Sequence, residues 1–77
     1  MQDVLKHDWL SIVGEKVEIR HHNSDQVWVG TVDAVTRDGR ILWLLTGGPH
    51  ERRMIQRDAG YTAWILTNRF LAMRTRT

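Results

Sequence analysis

The chain of 77 residues has no cysteine and a single proline. Without cysteine, disulfide bonds and thiolate metal sites are excluded, and the composition fits a reducing compartment. The longest apolar run, Ile41 to Leu45, is far shorter than the roughly 20 residues needed to cross a bilayer. The first eleven residues are partly charged and lack the apolar core of a signal peptide. We therefore expect a soluble, cytoplasmic protein with no membrane partner.

Signatures of catalysis are also missing. Ser11 and Ser24 lie outside any G-x-S-x-G motif, and no two acids have a spacing suited to acid–base chemistry. The adjacent His21 and His22 would point to opposite sides of an extended chain, so they cannot chelate one ion together. A metal would require a site assembled from His21, His50 and an acid. We expect histidines exposed in loops, no enzyme activity, no cofactor and no metal.

Positive charge is concentrated in the second part of the chain. Residues 1–51 contain five Lys and Arg and eight acids, whereas residues 52–77 contain six arginines and one acid. The net charges are therefore −3 and +5, which give the +2 of the whole chain. A basic segment favours a polyanionic partner. The alternative is a solvated strand edge followed by a loose tail.

An apolar stripe near the N-terminus predicts a short helix over about residues 3–13. Asp3 is suited to the N-cap and Gly14 to the C-terminal stop. The stripe follows the i, i+4, i+7 and i+8 spacing of one helix face through Leu5, Trp9, Ile12 and Val13. A helix of this length is marginal alone in water, so it must dock on the rest of the chain.

After Gly14 the apolar pattern changes to the two-residue period of strands. The alternation slips near Gly30, where Val32 and Val35 break the count, which predicts a β-bulge or a sharp bend there. Asp38-Gly39 predicts a tight hairpin, because glycine accepts the positive φ of such turns. The pattern predicts five strands, at about residues 17–20, 26–36, 40–45, 52–57 and 61–66. Residues 67–77 are predicted as a basic C-terminal tail, and their sequence is compatible with a sixth strand, a short helix or a free arm.

Two stretches resemble the opening of SH3-like and Sm-like barrels: "VGEKVEIR" at 13–20 and "GTVDAVTRDGRI" at 30–41. In those folds the first strand follows a glycine, a bent second strand carries G-x-V, and a D-G or N-G hairpin leads into the third strand. The N-terminal helix is similar to the Sm-like variety. The resemblance implies a mainly β single domain over 1–77, with a five-stranded antiparallel barrel at about 15–66. Residues 52–66 lack a clear second Sm signature, so no binding residue is implied.

The four tryptophans raise the question of what covers them. One face of each barrel strand fills the interior and the other looks outward. Trp28 and Trp64 are expected to point away from their apolar strand neighbours. The third strand is apolar on both faces, with Trp43 on one and Leu42 and Leu44 on the other. The N-terminal helix, a partner protein or stacked nucleic-acid bases could cover the outward side chains.

Two functions are compatible with these patterns. The first is a nucleic-acid binding module, with RNA favoured over DNA by the Sm-like resemblance. Arginine forks would pair with phosphates and aromatic rings would stack on bases. The candidate residues for this function are Arg37, Arg40, Arg52, Arg53, Arg57, Arg69, Arg74, Arg76, Trp28 and Trp64.

The alternative is a protein-interaction module or a small homo-oligomer. Tryptophan and arginine are the residues most enriched at binding hot spots. The apolar third strand would supply the contact through Leu42, Trp43 and Leu44. The two functions differ in a simple observable, because only self-association raises the mass above 9.0 kDa without nucleic acid.

Overall fold

The computed structural model describes residues 3–47 and 51–66. These residues form one six-stranded antiparallel sheet with the strand order β1-β6-β2-β3-β4-β5. Two short 3-10 helices, Trp9–Ile12 and Arg57–Ala59, connect β1 to β2 and β5 to β6. The strands are β1 (Val4–Lys6), β2 (Lys16–His21), β3 (Val27–Val35), β4 (Ile41–Leu45), β5 (Arg52–Gln56) and β6 (Tyr61–Ile65).

The mainly β class is confirmed, and the five predicted strands correspond to β2 through β6. The predicted closure into a barrel is wrong. Strand β6 pairs with β2 on one side and with β1 on the other. Because both sides of β6 are occupied, β5 cannot pair with it to close the sheet. Within the described ranges, β1 and β5 therefore remain as two separate edges.

The helix predicted over residues 3–13 is also wrong. Val4–Lys6 pairs with β6, and only Trp9–Ile12 turns, as a 3-10 helix. Asp8, not Asp3, caps it, because its carboxylate accepts the Leu10 N–H at 3.2 Å. Pairing with β6 provides hydrogen-bond partners for the backbone N–H and C=O groups of the first segment. A helix of about ten residues is only marginally stable in water, so it would hold these groups less well. The docking of Trp9 is confirmed, since this side chain is 2% exposed.

The core lies on one face of the sheet, which we call the inner face. Residues directly opposite each other on paired strands point to the same side, so the register defines which side chains share this face. Trp9 and Ile12 cover it from the 3-10 helix. The buried strand residues that pack beneath them are Val17, Ile19, Val32, Leu42, Leu44, Ile55 and Ala63. The opposite side is the outer face.

The irregularity in β3 lies three residues beyond the predicted position. The pairing register with β4 shifts between Val32 and Ala34, close to the predicted irregularity but not at Gly30 itself. Gly30 serves another purpose. A Cβ atom at this position would collide with the backbone carbonyl oxygen of Leu45. Glycine therefore allows β3 to approach β4 this closely.

The predicted hairpin between β3 and β4 is confirmed. Gly39 has a φ of 73°, and its N–H donates to the Thr36 carbonyl at 2.8 Å. The Thr36 hydroxyl donates to Asp38 at 2.7 Å, and the Arg40 N–H donates to the same carboxylate at 3.1 Å. These bonds, the Thr36 bond foremost, hold the pKa of Asp38 below its ordinary 3.8. The carboxylate thus stabilises the fold above that pH and loses this contribution as the pH falls through the lower folded pKa.

Gly39→Val is expected to lower the free energy of unfolding by about 1–2 kcal/mol, because a β-branched residue is strained at positive φ. Space is not the cause, since the nearest side-chain atom to an added Cβ is Leu10 Cγ at 4.0 Å. Urea unfolding followed by circular dichroism measures the loss. Gly47→Ala is the control, because Gly47 lacks a positive φ and its Cβ would make an ordinary contact. A Gly39→Val protein as stable as the parent would refute the role of this turn.

Candidate nucleic-acid interface

Four aromatic side chains form a continuous row where β2 ends and β3 and β6 begin. The ring centroids of His22 and His21 lie 5.1 Å apart, and those of His21 and Tyr61 lie 4.7 Å apart. Tyr61 and Trp28 continue the row at 5.6 Å. We call these four residues the aromatic row. Trp28 and Tyr61 pack against the inner-face core, so the row is the exposed end of that core.

Backbone carbonyls at the end of the second 3-10 helix hold the two histidines. His21 Nε2 lies 2.9 Å from the Ala59 oxygen, and His22 Nδ1 lies 3.1 Å from the Gly60 oxygen. His21 Nδ1 accepts the Asn23 N–H at 3.2 Å, so Nε2 carries the proton that Ala59 accepts. Gly60 has a φ of 92°, and a Cβ there would collide with the His22 ring. His21 is therefore half-buried in β2 and not in an exposed loop, which corrects the prediction.

Arg53 extends the aromatic row at its Trp28 end. Its guanidinium lies over the Trp28 ring, 4.4 Å from the centroid. Arg53 pairs with Leu44 and therefore belongs to the inner face. Strand β4 separates β5 from β3, so this contact requires a curled sheet. The side chain remains exposed.

No described carboxylate forms an ion pair with Arg53, although Glu51 lines the same surface pocket. All nine acidic residues of the chain belong to the part that the structure describes. Ion pairs within this part join carboxylates to Arg20, Arg40 and Arg52, and none involves Arg53. An exposed guanidinium that forms no ion pair with a described carboxylate and lies beside aromatic rings is a combination suited to a nucleic-acid strand.

Trp64, the other predicted stacking residue, lies on the outer face in an acidic setting. The Arg20 guanidinium is 4.1 Å from its ring centroid. That guanidinium also contacts Asp3 at 3.0 Å and Glu18 at 2.7 Å. The Trp64 indole N–H donates to Thr62 at 2.9 Å. These two carboxylates occupy the Arg20 guanidinium, which reduces its capacity to contact a phosphate.

Arg52 and Arg57 occupy different surroundings from Arg53. Arg52 points to the outer face, 5.3 Å from the Trp43 ring centroid, and contacts Asp33 at 2.8 Å. Arg57 lies 6.0 Å from the centroid of the buried Trp9. These contacts do not place either arginine at the aromatic row.

The remaining basic candidates are dispersed. Arg37 is exposed at the β3–β4 hairpin. Arg40 lies 3.9 Å from Asp58, and both side chains are largely exposed. The last three candidates, Arg69, Arg74 and Arg76, lie outside the described residues. Of the predicted nucleic-acid residues, the structure therefore brings together Trp28 and Arg53.

The apolar third strand of the sequence hypothesis is β4, and its two faces differ. Leu42 and Leu44 are 0% exposed within the core, so they have no surface to offer to a partner. Trp43 is half-buried on the outer face, where it pairs with Met54. Met54 is 53% exposed. An interaction surface on β4 is thus restricted to Trp43 and its outer-face neighbours.

The sequence patterns did not indicate that Tyr61, His21 and His22 belong to the aromatic row. The first two meet because β2 and β6 pair with His21 opposite Tyr61. These residues are 40 positions apart, and no local pattern reports their register. The aromatic character of Tyr61 at the start of a predicted strand was the sole available signal.

The described residues contain no group of three His, Asp or Glu side chains that could hold a metal ion. His50, which the sequence hypothesis combined with His21, lies outside them. Among the described helices, none is long and apolar enough to cross a membrane.

Comparison with known proteins gives no match, whether with family models, curated proteins or solved structures. The candidate site is therefore defined by the geometry of the chain itself. It consists of the aromatic row and the guanidinium of Arg53, which lie at the same end of the inner face.

Proposed function

We propose that the protein is a non-enzymatic cytoplasmic module that binds single-stranded nucleic acid, with RNA preferred, at the aromatic row. The observation that carries this proposal is the guanidinium of Arg53 over Trp28, which forms no ion pair with a described carboxylate. Small β proteins bind single strands by combining positive charge with rings on which bases stack. The absence of cysteine fits a reducing compartment.

The burial of the row favours single strands over duplexes. Trp28, Tyr61 and His21 are half-buried at the end of the core. Bases within a duplex are stacked on each other and cannot reach such rings, whereas bases of a single strand can be splayed out. The preference for RNA depends on the resemblance to Sm-like proteins, which is an analogy between folds. We retain this resemblance for the Gly39 hairpin and the close approach of β3 to β4, in an open sheet.

We expect binding to depend strongly on salt. Fluorescence anisotropy with labelled single-stranded RNA, single-stranded DNA and duplex DNA, at 50 and 200 mM salt, measures this dependence. Three or four phosphate contacts from basic residues other than Arg53 predict that single-strand affinity falls roughly twenty- to fiftyfold across this range. Duplex DNA should bind more weakly at both concentrations. Absent or salt-insensitive binding of single strands would refute the proposal.

Protein binding or self-association through the outer face is the second candidate function. It is favoured by the exposure of Met54 beside Trp43, and by the edge position of β5. Edge strands can pair with a strand of another chain. Sedimentation of the protein alone separates the two candidates. Self-association raises the mass above 9.0 kDa, whereas the nucleic-acid proposal predicts the monomer mass.

A further inference from the structure

All four tryptophans have a guanidinium near the ring, but the four pairs are not equivalent. The guanidinium-to-centroid distances are 4.1, 4.4, 5.3 and 6.0 Å. At the shortest distance, Arg20 is bound to two carboxylates. Arg53, at 4.4 Å, alone among these four described pairs combines close ring contact with the absence of a side-chain ion pair. This difference indicates a special role for Arg53 over Trp28.

The position of Arg53 affects how a base could bind. Its guanidinium lies over the face of the Trp28 indole that a base would otherwise use. A guanidinium is planar and can itself stack on a base. The indole lies on one side of the group, and Arg53 as a residue is exposed. The indole holds the planar group in place by cation–π attraction.

We propose that Arg53 is a base-stacking platform supported by Trp28, and not a phosphate contact. The base lies on the outer side of the guanidinium, so the order is indole, guanidinium, base. This inference rests on the proposed function, because it assigns a role within the same site. Arg53→Lys distinguishes a stacking role from a role of positive charge alone, because lysine keeps the charge of arginine but has no planar group to stack.

A double-mutant cycle between protein and ligand tests the platform. Wild type and Arg53→Lys are each titrated with a short oligoadenylate and with an abasic ribose-phosphate oligomer of equal length. We expect Arg53→Lys to weaken oligoadenylate binding about tenfold, which is within the range of a base-stacking contact. Binding of the abasic oligomer should change less than twofold. The salt dependence of both complexes should stay the same, because the charge is kept.

Arg52→Lys is the matched control, because Arg52 is the adjacent residue and points to the opposite face toward Asp33. It should leave both affinities unchanged, and circular dichroism should show the same fold for all variants. If Arg53→Lys weakens the binding of both oligomers equally, or of neither, the platform is wrong. The single-strand binding of the wild type, and with it the proposed function, is not contradicted by that result. If wild type binds no single strand at all, the proposed function fails and the platform fails with it.

Discussion

Gly30→Val is expected to destabilise the sheet strongly. A Cβ at Gly30 would collide with the Leu45 carbonyl oxygen, and it would also lie 2.9 Å from the Leu45 carbonyl carbon. These are backbone atoms of β4, so they can move only if the pairing of β3 with β4 is disturbed. Gly30 is buried, and the Leu44 side chain blocks the other direction at 3.0 Å.

The expected loss from Gly30→Val is at least about 3 kcal/mol, the upper range for overpacking. A domain of this size has a total stability of roughly 4–12 kcal/mol, so such a loss removes roughly a quarter to three quarters of it. Far-UV circular dichroism and urea unfolding measure it. Thr31→Val, at the next position and half-buried, is the control and should change stability by less than about 0.5 kcal/mol. A cooperative Gly30→Val protein with the parent's midpoint would contradict the close approach of β3 to β4.

Arg53→Glu is expected to weaken binding of single-stranded RNA at least about a hundredfold at 50 mM salt. The substitution removes both the platform and the positive charge, and it places a carboxylate where the strand would bind. Arg53 is exposed on an edge strand, so folding should be retained. Anisotropy at constant salt measures the affinity, and thermal unfolding verifies the fold.

Arg52→Glu is the matched control for this charge reversal. The two residues are adjacent and undergo the same change of charge, but Arg52 points to the outer face and already contacts Asp33. We expect its loss of affinity to remain below tenfold. Equal losses for the two variants would mean that only the overall charge matters, and the site at Trp28 would be refuted.

Much of the fold was predictable because strand patterns are local. The two-residue period and Asp38-Gly39 predicted β2 through β6 and the hairpin. The N-terminal helix was mispredicted because the spacing of Leu5 and Trp9 also suits a short strand followed by a 3-10 helix. Closure into a barrel was mispredicted because no local pattern shows that Val4–Lys6 occupies the edge of β6.

The candidate site was predictable only in part. Uneven charge indicated Arg53, and strand alternation indicated that Trp28 points away from its apolar neighbours. The sequence could not separate Trp28 from Trp64, because the difference lies in the carboxylates that surround Arg20 in three dimensions. Likewise, the contact between Arg53 and Trp28 depends on the curl of the sheet, which brings β5 over β3.

The most direct test of the site uses the four tryptophan indole N–H signals in a proton–nitrogen correlation spectrum. Each tryptophan lies in a different environment, so the four signals report on four places at once. Titration with a short oligouridylate should shift the Trp28 signal and leave those of Trp9, Trp43 and Trp64 nearly unchanged. Single Trp→Phe variants assign the signals. A shift confined to Trp43 or Trp64, or no shift at saturating RNA, would contradict a nucleic-acid site at the aromatic row.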